Sequence, residues 1–309
     1  MRRATLPEKL AIAAILLASG CASDHHVSPW GGRAGPSFAP FVPRPDLEGR
    51  LAVVDAEAAA LGLTRAVEVR VELPRKAGPA VIRGYDGRDA ASRPVHAVRV
   101  ASALGVVMAV GPLDAGDVDR RQATELVPAL HEGGAFRSGT ELTGDGRLVV
   151  VLRNEAGALS LWHVDALGSG AYAVEMEAPP TRGIDIDGDG RVDLAGELAV
   201  APDDPIAPRF TDVATFDEGR YSNASAAARG WHAAQAARAA PPVVKTPEVK
   251  TSEEARLRAA IERSWHAVLG GTPGETVLRD LRRESVAQGL RASYERHARV
   301  ISDLAARRR

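Results

Sequence analysis

The chain has a single cysteine, Cys21, in 309 residues, so no disulfide can form within it. Its stability has to come from packing and, where ligands allow, from metal. Aromatic residues make up 4 % of the chain, which leaves the core to Ala, Val and Leu. Neither sign of charge dominates: the formal net charge is −1, which argues against nucleic acid as a partner. No apolar run after the first twenty residues is long enough to cross a bilayer as a helix. Several catalytic signatures are also missing: a G-x-S-x-G elbow, an H-E-x-x-H pair, a phosphate-binding P-loop and a G-x-G-x-x-G turn. His131-Glu132 lacks the second histidine that a zinc helix needs.

The apolar residues that do cluster stand at the start. Arg2, Arg3 and Lys9 precede a short run from Leu10 to Ala18, the layout of an export signal. "LLASGC" then places small residues before Cys21 and resembles the bacterial lipobox, although the residue three before the cysteine is Ala18 and the leucine stands one place earlier, at Leu17. The resemblance implies cleavage before Cys21, lipidation of that cysteine and attachment to a membrane. Ala22 after the cysteine implies the outer membrane rather than retention at the inner one. The alternative is a plain signal peptide with an incidental cysteine. Residues 21–45 are rich in Pro, Gly and Ser with no period and read as a flexible tether. His25 and His26 lie in it without a further fixed ligand, so they do not make a metal site.

Folded structure is expected from Asp46. Leu47, Leu51, Val54, Ala58 and Leu61 have near-helical spacing. "AVEVRVEL" (66–73) alternates strictly, a half-buried strand with Val67, Val69, Val71 and Leu73 on one face. "AVIRGY" and "PVHAVRV" read as weaker strands, with His96 a packing residue. "GVVMAVGP" (105–112) is continuously apolar and reads as a buried strand. "RLVVVLRN", "ALSLWHV" and "AYAVEMEA" follow as three strands, with Trp162 packed in the sheet and His163 facing solvent. "FDEGRYS" (216–222) reads as a further hairpin turn.

The most specific stretch is "DIDGDGRVDLAGE", Asp185 to Glu197. Asp185, Asp187 and Asp189 alternate and Asp193 follows; such close carboxylates repel unless a cation sits among them. With Asp185 as position 1 of a calcium loop, side chains at 1, 3 and 5 and the carbonyl of Arg191 at 7 converge on the ion. Gly190 at position 6 allows the sharp turn. Hard oxygen ligands suit Ca²⁺; the competing reading is an Asp/Gly turn without metal. The loop is a poor EF-hand, because position 12 is Gly196 and Glu197 comes one residue late, while Pro179 and Pro180 precede it. Asp185, Asp187, Gly188, Asp189, Gly190, Asp193 and Leu194 instead resemble the calcium loops of FG-GAP and VCBS repeats. That resemblance implies a metal at the start of a β-hairpin in a propeller blade, with Asp193 completing the ligand set.

A second, eroded copy precedes it. "ELTGDGRLVV" aligns with "DIDGDGRVDL" at an offset of 44 residues, from Glu141 to Asp185. A period of about 40–45 residues is that of a propeller blade. Glu141, Thr143 and Val149 replace three of the aspartates, and only Asp145 remains, so no metal is expected there. Two copies are too few for a closed propeller of about 4–8 blades. The expected fold is therefore α+β: a β-rich domain over 46–240 with two blade-like repeats, followed by a small helical unit.

"SAAARGWHAAQAARAA" is helix-forming, and 241–251 reads as a Pro- and Lys-punctuated linker. Residues 252–309 read as a separable helical hairpin. Thr251 to Glu254 and Thr272 to Glu275 look like capping boxes, with Pro273 at the first helical position. Val286, Leu290, Tyr294, His297, Ile301 and Leu304 form a seam for an intramolecular helix or for a partner. From Arg279 to Arg309 nine arginines face four acids, which suits a solvated face or an anionic envelope polymer. The expected function is that of a non-enzymatic, lipid-anchored envelope module that binds or scaffolds an envelope protein or glycan and carries one structural calcium ion. The alternative is an envelope hydrolase acting on glycan or peptide.

Overall fold

The computed structural model describes residues 46–74, 77–112, 124–128, 136–166, 168–201, 203–204, 206–239 and 253–308. The expected export signal, Cys21, the tether, His131-Glu132, the linker and the Thr251 cap lie outside them. Residues 45–309 form one compact unit of helices and antiparallel sheets, an α+β fold.

Helix α1 (Leu47–Ala60) begins where sequence places it, because the Asp46 carboxylate accepts the Gly49 N–H at 2.8 Å. Its buried residues are Leu51, Val54 and Ala58. An antiparallel meander follows: β1 (Thr64–Leu73), β2 (Gly78–Arg88), β3 (Pro94–Ser102) and β4 (Gly105–Val110), in that spatial order. The period of two decides what each face touches. Val81, Tyr85, Ala97 and Ala101 meet α1, while Ile82, Val98 and Val100 point the other way. Arg83 is nearly buried and ties the layers together, reaching Asp55 of α1 and Glu68 of β1, each at 2.9 Å.

The second sheet contains β5 (Thr124–Leu126), β6 (Thr140–Glu141), β7 (Leu148–Asn154), β8 (Leu159–Asp165) and β9 (Gly168–Ala171). Its order is β5-β7-β8-β9, with β6 also paired to β7. Leu148, Val150, Leu152 and Val164 pack on the first sheet; Val149, Val151 and Leu161 face the third. The third sheet runs β10 (Ala173–Glu175), β14 (Arg220–Ser222), β13 (Phe210–Asp217), β12 (Asp193–Leu198), β11 (Pro180–Ile184). Its inner face contributes Leu194, Ala214 and Tyr221, and its outer face sets Ala195 and Val213 against Ala228 of α2 (Ala226–Arg238). Helices α3 (Glu253–Leu269), α4 (Gly274–Leu281) and α5 (Arg291–Arg307) complete the stack.

Four local expectations are corrected. Strand β4 is an edge strand with only Met108 buried and Val106 47 % exposed, since its apolar run has one covered face. The third strand of the second sheet breaks at Tyr172: β9 stays with β8, and β10 crosses to pair in parallel with β14. Thr272 makes no capping box; Pro273 is itself the N-cap of α4, without a side-chain bond. The C-terminal helices are docked rather than a self-contained hairpin. Leu257, Ile261, Trp265, Ile301 and Leu304 share a core with Ile206 and Phe210, and the Trp265 indole donates to the Thr211 carbonyl at 2.7 Å.

Candidate metal centre

The Asp185–Asp193 loop joins β11 to β12, and the eroded loop joins β6 to β7. The two hairpins close in the same register. Thr140 pairs with Val149 and Ile184 with Asp193, positions that correspond at the 44-residue offset. The backbones agree as well. Gly144 and Gly146 both have φ of 75°, and Gly188 and Gly190 have φ of 79° and 81°. These four positions need the left-handed region, which glycine enters without strain. The loops also touch: the Val192 N–H donates to the Leu142 carbonyl at 2.8 Å, and the Arg191 guanidinium lies over Gly144, where a Cβ would stand 2.4 Å from Nε.

In the later loop Asp185, Asp187 and Asp193 each offer an oxygen to one point, with these atoms within 4.8 Å of one another. This group could hold a metal ion. Main-chain donors fix it: Asp185 accepts from Gly188 at 2.7 Å and Gly190 at 3.0 Å, Asp187 from Asp189 at 3.2 Å, and Asp193 from Ile186 at 2.9 Å. Asp193 is 3 % exposed. Burial, together with the charges of Asp187, Asp189 and Asp185, pushes its carboxyl up to about 7. A buried carboxylate beside three others is a setting in which a divalent cation offsets both the lost solvation and the repulsion. The all-oxygen donor set fits a hard cation.

Asp189 stands outside this group. Its Oδ1 accepts the Arg191 N–H at 2.8 Å and its Oδ2 lies 3.4 Å from the Arg191 Nε. Glu197 is also outside it, exposed on β12. Arg191 therefore contributes a guanidinium that neutralises Asp189.

In the earlier loop hydroxyls and a main-chain N–H satisfy the corresponding carboxylate. Asp145 accepts from the Tyr172 hydroxyl at 2.6 Å, the Thr143 hydroxyl at 2.8 Å and the Arg147 N–H at 3.0 Å. Burial raises the Tyr172 phenol, and Asp145 adds to the rise. His163 does not face solvent as expected. It is half-buried, its ring centroid 5.2 Å from that of Tyr172, and burial pulls its pKa down. Trp162 packs against the core between the first two sheets. His96 is half-buried on β3, with Nδ1 2.7 Å from Asp86. It lines a pocket of about 550 Å³ with Arg93, Glu125, Arg153 and Glu155, and Asp193 is not among the lining residues.

Sequence reading missed two polar clusters under the C-terminal helices. One is a line from Asp212 through His232 to His266; the other is Asp204 with His297, Ser293 and Arg296. Their members are up to 93 residues apart, so no local motif announces them. Compared with protein-family models, curated proteins and solved structures, the chain matches none. Among the described residues no helix is long and apolar enough to cross a membrane.

Proposed function

We propose that the chain is a non-enzymatic, lipid-anchored module of the outer membrane whose third sheet is pinned by one Ca²⁺. The ion is held by Asp185, Asp187 and Asp193, with Asp189 joining when it leaves Arg191 and the Arg191 carbonyl completing the set. The observation that carries this reading is the convergence of three carboxylates, one of them almost wholly buried, on a hairpin whose register the loop sets. The ion supplies positive charge; the chain's own contribution is a turn pre-formed by Gly188, Gly190 and the Asp185 side chain. The matching register of the two hairpins supports reading them as blade-like repeats, one keeping its metal and one having exchanged it for Tyr172 and Thr143. Cys21 anchors the module, and an envelope protein or glycan is the partner class.

Isothermal calorimetry tests the metal. One calcium per chain is expected, with the heat abolished by Asp187→Ala. No heat with the unaltered chain would reduce the loop to an Asp/Gly turn.

A further inference from the structure

Three histidines are almost wholly buried among the described residues: His232, His266 and His297. All three lie where the C-terminal helices dock on the segment from Asp204 to Asp212. His232 of α2 has Nε2 at 3.2 Å from Asp212 Oδ1 and Nδ1 at 2.9 Å from Nδ1 of His266 on α3. Trp231 covers both rings. His297 of α5 packs on Phe210, with Nε2 3.4 Å from Asp204 and no hydrogen-bond partner at either ring nitrogen. Between the first two sheets pack Ile82, Val98, Val100, Val150 and Leu152 by contrast.

Proton accounting limits what the histidine line can hold. Asp212 already accepts from the N–H of Glu177, the N–H of Val213 and the Asn223 amide, so it stays an acceptor and draws the His232 Nε2–H. His232 Nδ1 is then bare and accepts from His266, or it carries one added proton and donates to a bare His266 Nδ1. A second proton sets two N–H groups against each other at 2.9 Å, with no acceptor between them.

We propose that these contacts are an acid-labile clamp: proton uptake at Asp212–His232–His266 and at His297 releases α3, α4 and α5 from β13 while the first two sheets stay assembled. This goes beyond the calcium reading and does not depend on it. The energetics agree in sign. Burial, then the neighbouring His232, pulls His266 down to about 4 from an ordinary 6.5. Burial also lowers His297, with Asp204 opposing. The released state thus binds more protons between about 4 and 6.5. Docking is complete above that window and weakens as pH falls through it.

Other charged groups also meet at this junction. Arg308 donates to Asn223 and, with Arg307, pairs Glu177; Arg296 pairs Asp204 at 2.7 Å. These arginines keep their charge throughout. Glu262 of α3 is raised by burial, with Arg209, Arg258 and Glu197 around it, so its protonation opposes release.

The test uses the full chain and two indole N–H signals in ¹H–¹⁵N spectra as pH is lowered from neutral. Trp265, bonded to the Thr211 carbonyl, reports docking; Trp162, bonded to Ser160, reports the second sheet. The Trp265 signal should move to its solvent-exposed position between about pH 4 and 6.5 while Trp162 stays. The H266Q/H297Q double variant should keep Trp265 docked to a pH lower by about one unit or more. If that variant fails to dock at neutral pH, the imidazole carbon signals of the unaltered chain decide. His266 and His297 must protonate together with the Trp265 change. Loss of both indole signals in one step, or histidine protonation with Trp265 unmoved, overturns the proposal.

Discussion

Asp145 and Asp189 occupy equivalent positions in two loops of the same backbone, and their partners differ. Asp145 is satisfied by Tyr172 and Thr143, Asp189 by Arg191. Replacing Asp145 by Ala leaves the Tyr172 hydroxyl only its longer contact with the Thr143 hydroxyl, 3.3 Å, and should cost about 1 kcal/mol, the net worth of a hydrogen-bonded group. Thermal melting should register a fall of a few degrees, with the response to calcium unchanged; a lost calcium response would mean that the earlier loop binds the ion. The residue scale is also where sequence said most about the candidate site. Asp185, Asp187 and Asp193 lie within nine positions, so their convergence is legible as spacing. Tyr172 stands 27 residues from Asp145, and His266 stands 34 from His232. Only the folding of separate elements brings those pairs together.

At the scale of elements, glycines in and beside the loop serve two different needs. A Cβ on Gly196 of β12 would stand 2.0 Å from the Pro179 carbonyl, so Gly196→Ala must push β11 and β12 apart. Gly190 has open space around it, and only its φ of 81° resists a side chain. Gly196→Ala should cost about 1–3 kcal/mol as overpacking and weaken calcium binding, because β12 positions Asp193. Gly190→Ala should cost about 1 kcal/mol as backbone strain. Melting curves of both variants check the order, and a Gly196 variant as stable as the parent would contradict the pairing. Strands were legible where one face is covered and the other wet, as in Val67, Val69 and Val71 of β1. They were misread where composition and position diverge: β4 is apolar throughout yet lies on an edge. β2 and β3 carry Arg83, Arg99 and His96, so they looked weak, yet they are the covered centre of their sheet.

Over the whole molecule, α1, three sheets and a helical cap are stacked in layers, with the outer strands β1 and β4 of the first sheet partly open to water. The linker composition at 241–251 suggested independence of the cap, but Trp265, Phe210 and Ile206 are wholly buried against one another's elements. Trp265→Ala should therefore cost about 3–5 kcal/mol, and scanning calorimetry at neutral pH should show the sheets and helices melting together. Two separate transitions in the parent chain would restore the separable unit. The anchor belongs to this scale too. Cys21→Ala should move the protein from the membrane to the soluble fraction, since acyl chains on and beside that cysteine hold more firmly than a single chain. Unchanged fractionation would rule the lipid anchor out.

In the proposed function the Asp185–Asp193 loop holds calcium and the ion pins the third sheet. Extracellular modules bind calcium at about 10⁻⁴–10⁻³ M, so at about 1–2 mM the ion contributes about 0.4–1.8 kcal/mol by linkage. The most direct measurement is the melting temperature of the full chain in calcium and in chelator, taken alongside Asp187→Ala and Asp145→Ala. Calcium should raise the melting temperature by a few degrees in the parent and in Asp145→Ala, and leave Asp187→Ala unmoved. A parent curve that is the same in calcium and chelator would contradict the account.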